Sequence, residues 1–277
     1  MRKEGFFRAY RNQELFYQLW KSQEEVENVI IITHGMGEHS ESYIHFCEGM
    51  LPGNYVIYAW DLRGHGKSEG KRGVASVNEY VEDLDQFIRF VKGREGEKKY
   101  FLLGHSMGGL IQMSYLIQKD LSGFAGAIFS SPLMGLSLPV PAIKDMAAKM
   151  LVKLIPNITL NNEIDNELLT HDVSIVRSYD RDPLRHDQVC PRLYLDFLKC
   201  FEEFQLKAEK LDLPILMQLA GDDQIVSLKS SEEIFVKFGS EDKQKIVYSE
   251  MYHEIYNEVG RQKVFEDLKK WIGERVN

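Results

Sequence analysis

Cysteine is scarce in this sequence. Its 277 residues include only Cys47, Cys190 and Cys200, which lie far apart and form no Cys-x-x-Cys pair. An odd number of widely spaced cysteines is typical neither of a disulfide framework nor of a zinc site. We therefore expect a reducing compartment and no metal ion.

Long apolar segments are also absent. Residues 1–8 lack the apolar stretch of a signal peptide, and no later run approaches the length that spans a bilayer. The sequence therefore predicts a cytoplasmic protein.

An excess of positive charge is missing as well. The 34 Lys and Arg residues against 42 Asp and Glu give a formal net charge of -8. Nucleic acids and anionic lipid surfaces attract basic proteins, so we expect neither nucleic acid as a partner nor strong electrostatic docking on a membrane. The expected partner is a small molecule.

The sequence does contain enough apolar residues for a large core, since 44% of them are hydrophobic and 11% are aromatic. Four apolar runs alternate with helical patterns, one of which begins at Ser76. These runs lie at residues 29–32, 55–60, 100–103 and 126–132, the last with its exit loop. Because parallel strands need crossover helices, the alternation predicts a mostly parallel sheet. Residues 6–10 and 15–20 predict an antiparallel hairpin at its edge.

The alternation stops after residue 132. The next 79 or so residues are rich in helical patterns but contain no strand-like run. Further elements are then predicted at residues 214–219, 230–238, 245–248 and 255–271. We expect an α/β core at residues 1–132 and 212–277, with a helical cap, or lid, inserted at residues 133–211.

The clearest motif is Gly104-His105-Ser106-Met107-Gly108, where an apolar run ends and a helical pattern begins. A sharp turn of this kind exposes a serine as a nucleophile, and side chains in place of its glycines would collide with neighbouring backbone. The pattern alone is weak, because a chain of this length contains about 0.1 matches by chance. Ser106 is the candidate nucleophile.

A serine hydroxyl needs a base to take its proton and an acid to orient that base. In this architecture the chain order is serine, acid, histidine, and Asp223 and His253 follow the two late strands in that order. Asp222 competes with Asp223, and both can instead belong to an exposed turn. Among the other histidines, His105 should point away from Ser106. Six further histidines could in principle also be the base: His34, His39, His45, His65, His171 and His186.

Two backbone amides should hold the oxyanion that forms during attack on a carbonyl group. One is the amide of Met107, which follows the nucleophile. For the other we choose Met36, because Gly35-Met36-Gly37 follows the first parallel strand. An ordinary glycine turn is the alternative for this loop.

Within residues 133–211, one helical pattern has a continuous apolar face. The face consists of Ile143, Met146, Ala147, Met150, Leu151 and Leu154, while Lys144, Lys149 and Lys153 lie off it. Such a face usually packs in the core. At the rim of an entrance it can instead guide an acyl chain or rest on a lipid surface.

Together these motifs resemble those of the monoacylglycerol lipase and lysophospholipase group of serine α/β-hydrolases. The matching segments are residues 34–39 (HGMGEH), 61–68 (DLRGHGKS), 104–109 (GHSMGG), 182–184 (DPL), 221–226 (GDDQIV) and 252–254 (YHE). The resemblance implies an α/β-hydrolase fold, with a mostly parallel eight-stranded sheet flanked by helices and an inserted helical cap. It also implies no cofactor, favours Asp223 over Asp222, and supports Met36 and Met107 as oxyanion donors.

The resemblance further implies hydrolysis of a monoacylglycerol-type lipid ester through an acyl-enzyme. The apolar face of the cap helix is the basis for expecting transient contact of the cap with a membrane surface. Some family members hold the glycerol end with polar groups, which makes Glu38 and Tyr179 candidates for substrate binding. The alternatives are a lysophospholipase, a broad carboxylesterase, or, from a different class, a small-molecule binding protein without turnover.

Overall fold

The computed structural model of the chain describes residues 1–22, 26–51, 53–138 and 140–276. Within these ranges it contains ten strands and eight α-helices. The strands are β1 (Arg2–Arg8), β2 (Glu14–Lys21), β3 (Asn28–Thr33), β4 (Tyr55–Trp60), β5 (Lys99–His105), β6 (Phe124–Ser130), β7 (Leu160–Asn161), β8 (Gln188–Val189), β9 (Ile215–Ala220) and β10 (Lys243–Tyr248). The helices are α1 (Ile44–Met50), α2 (Val77–Glu95), α3 (Met107–Gln118), α4 (Ala142–Leu154), α5 (Val173–Tyr179), α6 (Pro191–Lys207), α7 (Leu228–Lys237) and α8 (Arg261–Val276).

Eight strands form one sheet in the order β1, β2, β4, β3, β5, β6, β9, β10. β2 pairs antiparallel with β1 and with β4, and all other neighbours are parallel. The predicted mostly parallel sheet and its edge hairpin are therefore confirmed. The carboxyl ends of the parallel strands meet at one edge, where ligand sites form in such sheets.

Side chains on the two faces of the sheet enter two separate hydrophobic clusters. In β3, Val29 and Ile31 join one cluster, whereas Ile30 and Ile32 join the other. This follows from the two-residue period of a strand. Both faces of β3 are buried, as its continuous run of β-branched residues predicts.

The predicted helix start at Ser76 is confirmed, since Ser76 is the N-cap of α2, which begins at Val77. The Ser76 hydroxyl accepts a hydrogen bond from the Glu79 amide at 3.2 Å, and the Glu79 carboxylate accepts one from the Ser76 amide at 2.9 Å. This reciprocal capping box satisfies two amide groups that the first turn leaves unpaired.

The prediction that the last helix begins at residue 255 is wrong. The helix begins at Arg261, because Ile255 and Tyr256 are buried in the core and Gly260 adopts a left-handed φ of 84°. An apolar pair that anchors a loop produced the same sequence signal as the first turn of a helix.

The segment between β6 and β9 contains α4, α5, α6 and the short antiparallel pair of β7 with β8. Strands of two residues are too short to leave an alternating pattern, so the sequence predicted none here. Buried residues of α6, among them Leu193 and Phe204, belong to the same cluster as α2 and α3. The boundaries of the cap stay a prediction.

Candidate active site

Ser106 lies in a tight turn between β5 and α3. Its φ and ψ are 51° and -121°, a conformation rare for a residue other than glycine. A Cβ on Gly104 would lie 2.6 Å from the Gly108 carbonyl oxygen, and one on Gly108 would lie 2.0 Å from that of Thr33. Only glycine fits at both positions, which explains why the motif has glycine there. Ser106 lies at the carboxyl edge of the sheet because it directly follows β5.

Asp223 and His253 lie together in the loops that follow β9 and β10. His253 Nδ1 is 2.7 Å from Asp223 Oδ2, and both side chains are buried. The other Asp223 oxygen accepts hydrogen bonds from the amides of Ile225 and Val226, each at 2.9 Å. Asp222 is exposed and accepts a hydrogen bond from the Gln224 side chain instead.

The electrostatics of this pair favour an ionised acid and a base of raised basicity. Burial disfavours the charged form of His253, but the charge and hydrogen bond of Asp223 outweigh it and raise the His253 pKa above 6.5. Burial likewise disfavours ionised Asp223. His253 and the two loop amides nevertheless lower the pKa of Asp223 below 3.8.

His105 adjoins this pair without joining it. Its Nδ1 lies 3.0 Å from the Ser130 carbonyl oxygen, and its ring centroid is 4.7 Å from that of His253. Burial lowers the pKa of His105 to about 3, so the ring is neutral near neutral pH. The Ser130 contact joins the ring to the last residue of β6, and His105 lines the same cavity as Ser106.

The loop after β3 lies directly against Ser106. A Cβ on Gly35 would lie 3.1 Å from the Cβ of Ser106, so the predicted oxyanion residue Met36 follows a backbone in contact with the serine. Glu38 Oε1 fixes the loop by accepting hydrogen bonds from the Gly35 amide at 2.5 Å and the Tyr43 hydroxyl at 3.0 Å. The second predicted donor, Met107, is the first residue of α3.

Most predicted site residues open onto one cavity of about 410 Å³. Ser106, His253, Met36, Glu38 and Tyr179 line it. Asp223, which contacts His253, and the buried Met107 do not belong to its lining. The structure thus brings the predicted set together around one space.

The sequence did not single out Arg185 and Glu254, which also line the cavity. Arg185 stacks on the Tyr179 ring at 3.7 Å and lies 3.3 Å from Glu254 Oε1. Glu254 Oε2 accepts hydrogen bonds from the Tyr179 hydroxyl and, at 2.9 Å, from Asn257. Glu254 ends the 252–254 motif and Arg185 directly follows the 182–184 motif, but the contact of a pair 69 residues apart leaves no local signal.

The two buried carboxylates at this site are held in different states. Burial and the neighbouring Glu254 raise the pKa of Glu38 to about 7. Burial disfavours ionised Glu254 too, but Arg185, His105 and its hydrogen bonds lower its pKa below 4.5. The site therefore holds one firmly charged carboxylate and one that titrates near neutral pH.

The described ranges contain neither a metal-binding cluster nor a membrane-spanning helix. No group of three or more His, Cys, Asp or Glu side chains there could hold a metal ion. None of the helices described is long and apolar enough to cross a bilayer.

Comparison with known proteins gives concordant results. The chain matches the family described as Hydrolase_4, serine aminopeptidase S33, over residues 24–260. It is 32% identical to phospholipase YtpA of Bacillus subtilis, covering 93% of this chain and 99% of that relative. It is 30% identical to an uncharacterized abhydrolase domain-containing protein of Dictyostelium discoideum, covering 95% of this chain but only 28% of that relative.

A solved structure extends the likeness to three dimensions. The crystal structure of the monoacylglycerol lipase of Paleococcus ferrophilus matches with a TM-score of 0.86 at 30% identity, covering 95% of this chain and 99% of that one. The chain therefore belongs to the Hydrolase_4 family of serine α/β-hydrolases and is a carboxylic ester hydrolase similar to monoacylglycerol lipases.

Proposed function

We propose that the protein hydrolyses monoacylglycerol-type lipid esters through an acyl-enzyme on Ser106. The buried Asp223 and His253 pair, 2.7 Å apart beside the strained serine turn, carries this proposal. Ser106 Oγ attacks the ester carbonyl carbon while His253 takes the hydroxyl proton. Asp223 orients His253 and stabilises the imidazolium, and the amides of Met36 and Met107 bind the oxyanion.

The remaining steps return the enzyme to its starting state. The tetrahedral intermediate collapses, and His253 passes its proton to the departing glycerol oxygen. Water then attacks the acyl-enzyme as His253 takes one of its protons. That proton returns to Ser106 Oγ as the fatty acid leaves. Each cycle consumes one water, and the residues proposed supply every proton transfer without a cofactor.

The charges around the cavity favour a neutral leaving group. Its described lining has one arginine, Arg185, against five carboxylates. These carboxylates are Glu38, Asp180, Asp182, Asp187 and Glu254. A phosphate would meet net repulsion there, whereas the hydroxyls of glycerol can bond to Glu38 and Tyr179. This balance supports a monoacylglycerol over a lysophospholipid.

Labelling with a fluorophosphonate probe tests the nucleophile. Wild type should label, and Ser106→Ala should not. Failure of correctly folded wild type to label would favour the binding protein without turnover.

A substrate panel of matched acyl length tests the leaving group. It contains a monoacylglycerol, the corresponding lysophosphatidylcholine and lysophosphatidate, a methyl ester, and an aminoacyl arylamide for the peptidase activity that the family description names. We expect the highest kcat/KM on the monoacylglycerol. A faster reaction with either lysophospholipid would overturn the proposed head group, and a faster methyl ester would indicate a broad carboxylesterase.

We also propose that α4 contacts lipid surfaces transiently. Its sequence-predicted apolar face is turned to solvent: Ile143, Met146, Met150 and Leu154 are 72%, 58%, 60% and 75% exposed. Four large apolar side chains in a row on one exposed helix form the kind of patch that marks an interaction site. Lysines beside the face can reach lipid headgroups while the apolar residues enter the surface.

Flotation with phosphatidylcholine vesicles tests this contact. Wild type should float, and a variant carrying Met146→Ser, Met150→Ser and Leu154→Ser should not. Leu206→Ser with Val236→Ser is a suitable control, because it removes exposed apolar side chains from other helices. Wild type that stays in the soluble fraction, or equal loss in the control, would refute the proposal.

A further inference from the structure

Residues 169–171, which precede α5, lie along the loop that carries His253. Here we call residues 249–260, between β10 and α8, the His loop. Three consecutive residues of the preceding segment bond to it. The Leu169 carbonyl accepts from the Glu254 amide at 2.8 Å, the Thr170 hydroxyl donates to the Asn257 carbonyl at 3.0 Å, and the His171 amide donates to Glu258 Oε1 at 2.9 Å.

Glu258 is the centre of this contact. Its side chain is 1% exposed, and its Oε1 lies 2.6 Å from His171 Nδ1 and accepts from the Tyr252 amide at 3.1 Å. The His171 ring also stacks on Tyr252, with centroids 3.7 Å apart. Since Tyr252 immediately precedes His253, one side chain, His171, supports the loop both by a hydrogen bond and by packing.

We propose that residues 169–171 form a latch that positions His253, with Thr170 and His171 as its positioning residues. The inference rests on the proposed function. The His loop contains no helix or strand in the described structure, so its shape depends on contacts with its surroundings. Asp223 fixes the imidazole from the sheet side, and the latch fixes the backbone on either side of the imidazole from the inserted segment.

The latch also connects the His loop to the substrate cavity. Asp172, next to the latch, caps α5 by accepting from the Ser174 amide and lies 3.4 Å from Arg261 at the start of α8. The other end of α5 is Tyr179, which lines the cavity and donates its hydroxyl to Glu254. The segment that leads into α5 and the last residue of α5 therefore both contact the His loop, which couples the position of the helix to that of His253.

Loss of the Thr170 or His171 contacts should reduce kcat more than substrate affinity, because a small displacement of a catalytic base is costly and neither side chain lines the cavity. His171 suits the test, since its side chain is 45% exposed and its removal leaves no buried cavity. We expect His171→Ala to lower kcat about tenfold, with KM within about twofold of wild type. Thr170→Val should lower kcat in the same direction, and Arg177→Ala, at an exposed position of α5, is the control.

Two further variants separate the parts of the latch. His171→Asn can keep the side-chain hydrogen bond to Glu258, and His171→Phe keeps the ring on Tyr252. Each should recover part of the kcat lost in His171→Ala. Failure of both to recover any of it, a kcat of His171→Ala equal to that of wild type, or a change confined to KM would overturn the proposal.

Amide hydrogen exchange gives a readout that does not depend on activity. In His171→Ala the amides of Tyr252 and Glu254 should exchange faster than in wild type, with no change in β3 or β5. Unchanged exchange would refute the latch, whereas wild type that fails to label with a fluorophosphonate would refute the proposed function. The two failures are therefore distinguishable.

Discussion

Burial alone would keep His253 neutral and Asp223 protonated. The 2.7 Å contact between them reverses both preferences, so the pKa of His253 lies above 6.5 and that of Asp223 below 3.8. A general base must be neutral before it takes a proton. We therefore expect kcat/KM to fall as the pH drops through the raised pKa of His253.

Replacing Asp223 by Asn should separate the two roles of this carboxylate. The loss of the correct tautomer and of imidazolium stabilisation should lower kcat by about four orders of magnitude. Since Asp223 raises the His253 pKa, its removal should shift the acidic limb of residual kcat/KM to lower pH. Asp222→Asn is the matched control. An acidic limb of kcat/KM at the same pH in Asp223→Asn as in wild type would contradict this prediction.

Glu38 should make the free energy of unfolding depend on pH. Burial and Glu254 raise its folded pKa to about 7, above the ordinary 4.5, so the folded state binds more protons between these values. The contribution of Glu38 to stability is therefore present below about pH 4.5 and is lost as the pH rises through about 7.

Replacement of Glu38 by Gln removes this titration but keeps an oxygen that can accept from Gly35 and Tyr43. Relative to wild type, the variant should gain more stability at pH 8 than at pH 5. Urea unfolding at both pH values measures the difference. An equal change at the two pH values would show that the raised pKa is wrong.

Residues of the candidate site could be predicted from sequence where a local motif constrains them. Ser106 could be predicted because glycines flank it and because a strand pattern changes to a helix pattern at this position. Asp222 and Asp223 could not be separated by spacing, because neighbours in a turn point in different directions that only packing decides. Arg185 and Glu254 are far apart in sequence and meet only in the folded structure, so their contact could not be predicted from local sequence.

Among the helices and strands, a helix start with a local capping motif could be predicted from sequence. α2 shows this, since both bonds of its capping box lie within four consecutive residues. The predicted start of α8 is wrong because a buried apolar residue such as Ile255 gives the same sequence pattern in a loop as in the first turn of a helix. The pair of β7 with β8 joins residues 27 and 29 apart, so short-range sequence patterns do not predict it.

Ser76→Ala should destabilise the fold by about 1 kcal/mol, because the Glu79 amide loses its hydrogen-bond acceptor. For a chain of this size the melting temperature should fall by about 2–4 °C. Ser76→Asp keeps a side-chain acceptor at the cap and should retain most of the stability. Calorimetry on wild type and the two variants measures their melting temperatures. An equal fall in both variants would mean that the lost hydrogen bond to the Glu79 amide does not cause the destabilisation.

At the scale of the whole molecule, the order of elements determined the sheet. Apolar runs alternating with amphipathic helices admit few arrangements other than a mostly parallel sheet covered on both faces. The segment between β6 and β9 lacked such a rule. Its helices pack partly on the core, as α6 does, and partly expose apolar side chains, as α4 does, and sequence periodicity is the same in both cases.

The charge of the whole chain determines how its contact with lipid should respond to salt. The formal net charge is -8, and two lysines of α4 already pair with carboxylates, Lys144 with Glu163 at 2.6 Å and Lys149 with Asp145 at 2.7 Å. The contact should therefore depend on the apolar face rather than on attraction between charges. Flotation with zwitterionic vesicles should change little between low and high salt, and flotation with anionic vesicles should increase as salt screens the repulsion. Stronger binding to anionic vesicles at low salt would show instead that a basic surface, and not the apolar face of α4, makes the contact.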